Sequence, residues 1–398
     1  MKIKLFIIII FSIITFFSSD MFLPSIPNIA HYFSISESTS KLSVVFFFVG
    51  QLVSALFWGT VSDRLGHQKA FNMGVYVFLF GTVLCALSTS FSFFLIGRVI
   101  EGIGSIVAPI IGLAIIQSLY PKDKSTRVMS VLGGIIALAP MIAPSIGGLI
   151  EGLWGWRSNF YCILILTLLI IICFHMLPKP ENNVVQRKDN KNAIQVYAQI
   201  ISNKMFTSWV YIFALLACGQ WCFITMIPFL YRNKMGLNPQ EIGGFMTLSA
   251  LFFIIGTLSV NKILKYISVD SLIKLGIRIS TAGSFALLFL HLFNLYYPVL
   301  IALGFGIYLF GASLLWGSTS SRALQCFKES LGSASAIRSL LMISFFVLGS
   351  CIGTFINDKN LLLVSILLII CSISSATVNN RINKRAIIYN DIEDIRAT

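Results

Sequence analysis

Three ionisable side chains stand inside apolar runs of this chain: Asp20 in "FFSSDMFLPSIP", and Arg98 with Glu101 in "FLIGRVIEGIG". An ionised group in such surroundings is costly unless it is paired or hydrated, so each is a functional candidate. Arg98 and Glu101 are three residues apart, which puts both on one face of a helix. If Asp20 reaches that face, two carboxylates share one guanidinium. The chemistry open to such a set is proton binding and release. Burial disfavours an ionised carboxylate and a neighbouring arginine favours it, so a change in their separation moves the proton affinity. An inert Arg98–Glu101 pair within one helix, and a plain polar cap for Asp20 beside Pro24 and Pro27, are the alternatives.

The elements that must position these groups follow from composition. The 398 residues are 57% hydrophobic and 11% charged, with a mean hydropathy of +0.87, which no soluble chain of this length carries. The fold class expected is an all-α membrane protein. A bilayer core needs about 20 apolar residues per spanning helix, and about twelve such stretches fit between Leu5 and Thr377. At helical rise Asp20 falls roughly 8 Å below the far surface of the core, with Arg98 entering from the same side to about 10 Å. The opening "MKIKLFIIIIFSIITFFSSD" continues into "MFLPSIP" as one span rather than ending as a cleaved leader.

Charge supports alternating sides. Of the 29 lysines and arginines, 22 fall on the side that holds the N-terminus; Lys41, Arg157, Arg232, Lys234 and Lys359 fall on the other, and Arg98 and Arg338 within spans. This is the positive-inside pattern, with both termini cytoplasmic. It also explains the net charge of +14 without nucleic acid as a partner. The eight cysteines sit mostly in apolar runs without metal or disulfide spacing. His31, His67, His175 and His291 are scattered, and no catalytic, metal or nucleotide motif occurs. No enzyme activity, no metal and no cofactor are expected.

The longest polar stretch, "PKPENNVVQRKDNKN" (Pro178–Asn192), follows six spans and precedes six. The expected division is 1–178 and 205–379 as two six-helix bundles, 179–204 as a cytoplasmic linker and 380–398 as a tail. "FSISESTSKLS" and "MGLNPQEIGGF" are faintly similar in corresponding places, as in parallel repeats that place a binding site between two halves. A charged turn, "FWGTVSDRLGHQKAF", interrupts the apolar runs at residues 57–71. Gly59 and Gly66 permit close backbone approach there. Asp63 can face the positive end of a helix from the other half, and Arg64 and Lys69 anchor the turn in the cytoplasm. The expected role is a conformational latch.

At this turn Gly59, Asp63, Arg64, Gly66 and Lys69 resemble the G-x-x-x-D-R-x-G-R-R/K signature of the major facilitator superfamily. "DMFLPSIP", "FLIGRVIEGIG", "ALAPMIAPSIGG", "GWRSNFY" and "LGSASAIRSLL" are similar to segments of its twelve-span drug:proton antiporters, in the bicyclomycin and chloramphenicol resistance group. The resemblance implies two six-helix bundles in a bacterial inner membrane. It implies a monomer that exports small amphipathic compounds in exchange for protons by alternating access, with the proton gradient as energy source and membrane lipid as surroundings. It places the partner of the latch at Gly332 and Ser333 and gives the antiporter helix bend to Pro140, Pro144, Gly147 and Gly148. The proton-coupling expectation comes from the buried charges themselves, with Asp20 as proton carrier, Arg98 as its state-dependent partner, and Glu101 as a second proton site or an inert partner of Arg98. The chain departs from the pattern at His67, where the family has Arg; at Glu101, where Gln is more common; and at Ala143, where Gly precedes Pro.

Uncharged candidates for substrate binding are Gln117, Gln220, Trp221, Tyr308 and Trp316, through aromatic contact and hydrogen bonding. Arg338 either snorkels to the cytoplasmic interface or faces the cavity, where it favours acidic or zwitterionic cargo. Export of a self-made metabolite such as a siderophore is the close alternative, and uptake by proton symport a more distant one.

Overall fold

The computed structural model describes residues 2–112, 142–175, 193–327, 331–356 and 361–397. They form helices joined by short turns, and no strand occurs among them. In chain order these are α1 (Lys2–Asp20), α2 (Ile26–Tyr32), α3 (Glu37–Leu65), α4 (His67–Ala86) and α5 (Phe91–Ser105), then α6 (Ile142–Trp154). After them come α7 (Arg157–His175), α8 (Ala193–Ser202), α9 (Lys204–Met235), α10 (Pro239–Ile263) and α11 (Val269–Leu292), followed by α12 (Pro298–Gln325), α13 (Leu331–Phe355) and α14 (Leu361–Ala397).

Ten helical stretches among the described residues are long and apolar enough to cross a membrane, α1 and α2 counting as one. α6 and α7 pass that test only as a pair, bent by 116° at their junction. Gly155 makes this turn at a φ of +80°. With this pair taken as one broken span, the described residues hold eleven of the about twelve expected; Gln117 and Pro140 lie outside the described residues.

Local chemistry sets the boundaries. Ser36, Ser90 and Ser268 cap α3, α5 and α11, each side chain accepting from a backbone N–H three residues on. α1 stops at Asp20 because Pro24 and Pro27 lack the N–H a continuous helix needs. The chain instead makes a tight turn over Leu23–Ser25 before α2. α3 stops at Gly66, whose φ of +84° and ψ of 149° are open to glycine and to almost nothing else.

The chain divides into two compact units. One holds Met1–Asn190 with Cys222–Ala250 and Ser350–Lys359; the other holds Lys191–Trp221, Leu251–Gly349 and Asn360–Thr398. The expected boundaries at 178 and 205 follow the linker, whereas these units also cut α9, α10 and α13, each of which gives one end to the first unit. Within the first unit α5 packs against both α3 and α4, and α7 against α1 and α4; within the second, α11 packs against α12 and α14.

The two glycines of the charged turn differ physically. A Cβ at Gly59, inside α3, meets nothing within 4 Å, so Gly59→Ala should leave the apparent melting temperature in detergent unchanged or raise it, by up to about 1 kcal/mol in stability. Gly66→Ala should lower it, costing about 1–3 kcal/mol for the strained backbone.

Candidate functional site

The three sequence-predicted ionisable groups are all buried in the first unit: Arg98 and Glu101 are 0% exposed and Asp20 is 5% exposed. α5 presents Arg98 and Glu101 on one face as their spacing requires, and the Arg98 Nη1 donates to Glu101 Oε2 at 2.6 Å. Arg98 has no other freedom. Its Nε donates to the Ser43 carbonyl of α3 at 3.2 Å and Nη1 to the Ser18 carbonyl of α1 at 3.4 Å. The guanidinium plane is closed off by the rings of Phe22 and Phe47, whose centroids lie 4.2 and 4.3 Å from Cζ. A desolvated cation between two aromatic faces is held by cation–π attraction as well as by hydrogen bonds.

Glu101 is satisfied from three helices. Its Oε1 accepts from Ser18 Oγ of α1 at 2.5 Å and from Thr82 Oγ1 of α4 at 3.0 Å, while Cys85 Sγ lies 3.8 Å from Oε2. The carboxylate is thus held through both oxygens and the guanidinium through Nε and Nη1, which favours persistence of a buried ion pair. Asp20 sits at the broken end of α1, beside the Ser19 hydroxyl and within the field of Arg98. The direct ion pair of Arg98 is with Glu101. So the structure gathers all three residues, with the arginine given to the carboxylate on its own helix.

Ser18, Thr82, Phe22 and Phe47 complete this site and were not singled out from the sequence. The serine pair before Asp20, in the midst of an apolar run, was the available signal. Lys41 was also passed over, as one of few cations on its side. It is 0% exposed, and its Nζ donates to the Gly353 and Ile356 carbonyls at 3.2 and 3.3 Å, where the negative end of α13 favours a cation.

The remaining predicted residues fall as follows. On α6, Gly147 lies against the Met21 carbonyl and Gly148 against the Pro239 carbonyl, where a Cβ would collide with backbone. The Pro144 carbonyl lies against Gly243 of α10, and Ser145 Oγ is bonded to Thr247 Oγ1 at 2.7 Å. In the turn, Arg64 and Lys69 are exposed and His67 Nδ1 pairs with Ser62 Oγ at 2.6 Å. The Asp63 side chain lies outside the described residues. Gly332 and Ser333 stand in the first turn of α13.

In the second unit, Tyr308 is fully buried and its hydroxyl donates to the Leu216 carbonyl at 2.7 Å. Trp316 is exposed with its ring edge-on to Phe213, and Gln220 and Trp221 are half-buried, Trp221 beside Phe346. Arg338 Nη1 donates to Ser320 Oγ of α12 at 3.0 Å, while its Nε is buried without a hydrogen-bond partner. A hollow of about 280 Å³ in this unit, bordered by Trp209, Asp270 and Arg322, is lined by none of these residues.

A helical chain with ten or more candidate spans among the described residues and ionisable groups sealed among them fits a membrane transport protein, since such groups are functional candidates by default. The chain matches the Major Facilitator Superfamily over residues 8–354 and belongs to that family. It is a transporter, not an enzyme. It is 26% identical over 386 residues to the multidrug resistance protein MdtL of Shewanella oneidensis, covering 92% of this chain and 95% of the relative. It is 24% identical to the chloramphenicol resistance protein CraA of Acinetobacter baumannii (86% and 83% covered). The same identity relates it to an MFS-type transporter of Bacillus subtilis, YdgK (85% and 84%). A crystal structure of a D-xylose–proton symporter shares the fold, with a TM-score of 0.74 at 14% identity over 93% of this chain and 96% of that one.

Removing one partner of a buried pair leaves a bare charge. Glu101→Ala should destabilise the protein by about 3–5 kcal/mol, seen as a lower apparent melting temperature in detergent. Glu101→Gln, which keeps acceptors for Ser18 and Thr82, should cost distinctly less. Equal losses would show that the lost carboxylate charge, not the acceptors for Ser18 and Thr82, sets the cost, and no loss in either would show that Arg98 does not depend on the carboxylate.

Proposed function

We propose that this transporter exports small amphipathic compounds from the bacterial cytoplasm across the inner membrane in exchange for protons, as a monomer with both termini cytoplasmic. The observation that carries the reading is the sealed Arg98–Glu101 pair with Asp20 buried close by. In this structure the arginine near two carboxylates is paired directly with one of them, Glu101. With Arg98 on Glu101, Asp20 is the carboxylate that takes the proton. Movement of the guanidinium toward Asp20 releases that proton. A two-state exchange of this kind couples proton entry to a rearrangement of α1 against α5. The relatives named for drug resistance support export, and the close backbone packing of α6 through Gly147 and Gly148 supports the antiporter assignment of that helix.

Arg338 favours one further reading, export of an acidic or zwitterionic metabolite such as a siderophore. Its buried Nε has no hydrogen-bond partner, and a guanidinium N–H of that kind suits a carboxylate or phosphate.

The test uses everted vesicles from an efflux-deficient host, with a fluorescent reporter of the pH gradient and a panel of antibiotics, dyes and siderophores. The wild type should dissipate the gradient when a cargo is added; Asp20→Asn should not, although it is made and inserted normally. Gradient-driven transport that survives Asp20→Asn overturns the coupling assignment. A response confined to anionic compounds, lost in Arg338→Ala, selects the metabolite reading.

A further inference from the structure

A second buried carboxylate lies apart from the Arg98 site. Glu151, one turn before the end of α6, is 5% exposed. Its Oε1 accepts from Asn28 Nδ2 of α2 at 2.6 Å, whereas its Oε2 is buried without a hydrogen-bond partner. Asn159 on α7, 2% exposed, donates from Nδ2 to Ser25 Oγ at 3.0 Å, and its Oδ1 is likewise buried and unpartnered. Ser25, 0% exposed, is the common neighbour of both. The cluster thus holds two orphaned acceptors and one potential charge, and leaving buried acceptors unpaired costs about 1–3 kcal/mol each, more for a charged group.

We propose that Glu151 is a proton-binding site distinct from the Asp20–Arg98–Glu101 site, and that its neutral acid form ties α2, α6 and α7 together. A proton taken from water onto Oε2 forms an O–H bond, removes the buried charge and gives the cluster a hydrogen-bond donor in place of an unpartnered acceptor. Oxygen donors supplied by one carboxylate, one amide and one hydroxyl are too few to cage a metal cation, and a proton needs no cage. The surrounding charges are sparse. Arg232 on α9 acts on Glu151 from its exposed position, where Nη1 donates to the Leu237 carbonyl. Arg157 on α7 is engaged elsewhere, its Nη2 on the Ser88 carbonyl and its guanidinium over the Tyr32 and Trp156 rings. α10 brings neutral Gln240 against Gly152, Glu241 accepts from the Asn238 N–H at its own helix start, and His31 of α2 is exposed. The site lies at the end of α6 beside the Gly155 turn, so it samples the pH of the side opposite the basic turn at Gly66. The inference does not depend on the cargo or on the direction of transport.

The test is infrared spectroscopy of the full-length protein in vesicles of phosphatidylethanolamine and phosphatidylglycerol, titrated over the pH range in which it stays folded. The wild type should show a protonated-carboxyl C=O band that Asp20→Asn and Glu101→Gln retain and Glu151→Gln lacks. Asn159→Leu, which removes the amide that holds the Ser25 hydroxyl beside the acid, should keep that band but displace its frequency; this variant also serves if Glu151→Gln does not fold. A Glu151→Gln spectrum that titrates as the wild type does, or a band untouched by Asn159→Leu, overturns the proposal.

Discussion

The first unit is built around a positive charge that has been taken out of water. Arg98 cannot lose its proton, so the fold must supply everything water would have given: a carboxylate, two carbonyls from different helices and two aromatic faces. The suppliers come from α1, α3, α5 and the turn after α1. The requirement to satisfy one guanidinium therefore fixes the rotation of α1, α3 and α5 about their axes, and Glu101 extends the constraint to α4 through Thr82. Apolar packing in a membrane gives little rotational preference, because lipid tails and leucine side chains are alike. The polar network provides the registry that hydrophobicity cannot.

That network is also what makes the unit capable of change. The Arg98–Glu101 pair is held from several helices, and Asp20, a second carboxylate near the same cation, supplies the alternative partner that the proposed exchange requires. The break after Asp20, forced by Pro24 and Pro27, gives α1 the local irregularity that such an exchange needs. Gly147 lets α6 lie against the carbonyl of Met21 within that break, so the irregular segment is braced rather than loose.

Much of this was legible in the chain itself. Spans follow from apolar length and the shared face of Arg98 and Glu101 from a three-residue step, both of them local properties. What could not be read was which carboxylate holds the arginine, since that depends on how far α1 and α5 stand apart. Nor could the roles of Ser18, Thr82 and Phe47 be read, because small polar and aromatic residues are common in spans and only tertiary placement distinguishes them. Tyr308 illustrates the converse. Its type suggests a binding surface, yet its hydroxyl serves the Leu216 carbonyl inside the second unit. Lys41 looked like a solvent-facing cation on a sparse side, whereas distant chain brings it carbonyls.

The reach of Lys41 has a bearing on how the molecule is assembled. The first six spans do not make a self-sufficient folding piece: a buried ammonium on α3 takes two of its acceptors from residues more than 300 positions later. Until the ribosome has delivered the penultimate helix, that ammonium must stay hydrated or neutral. Final consolidation of the N-terminal bundle thus waits on nearly complete synthesis, and a polypeptide severed at its central linker forfeits it.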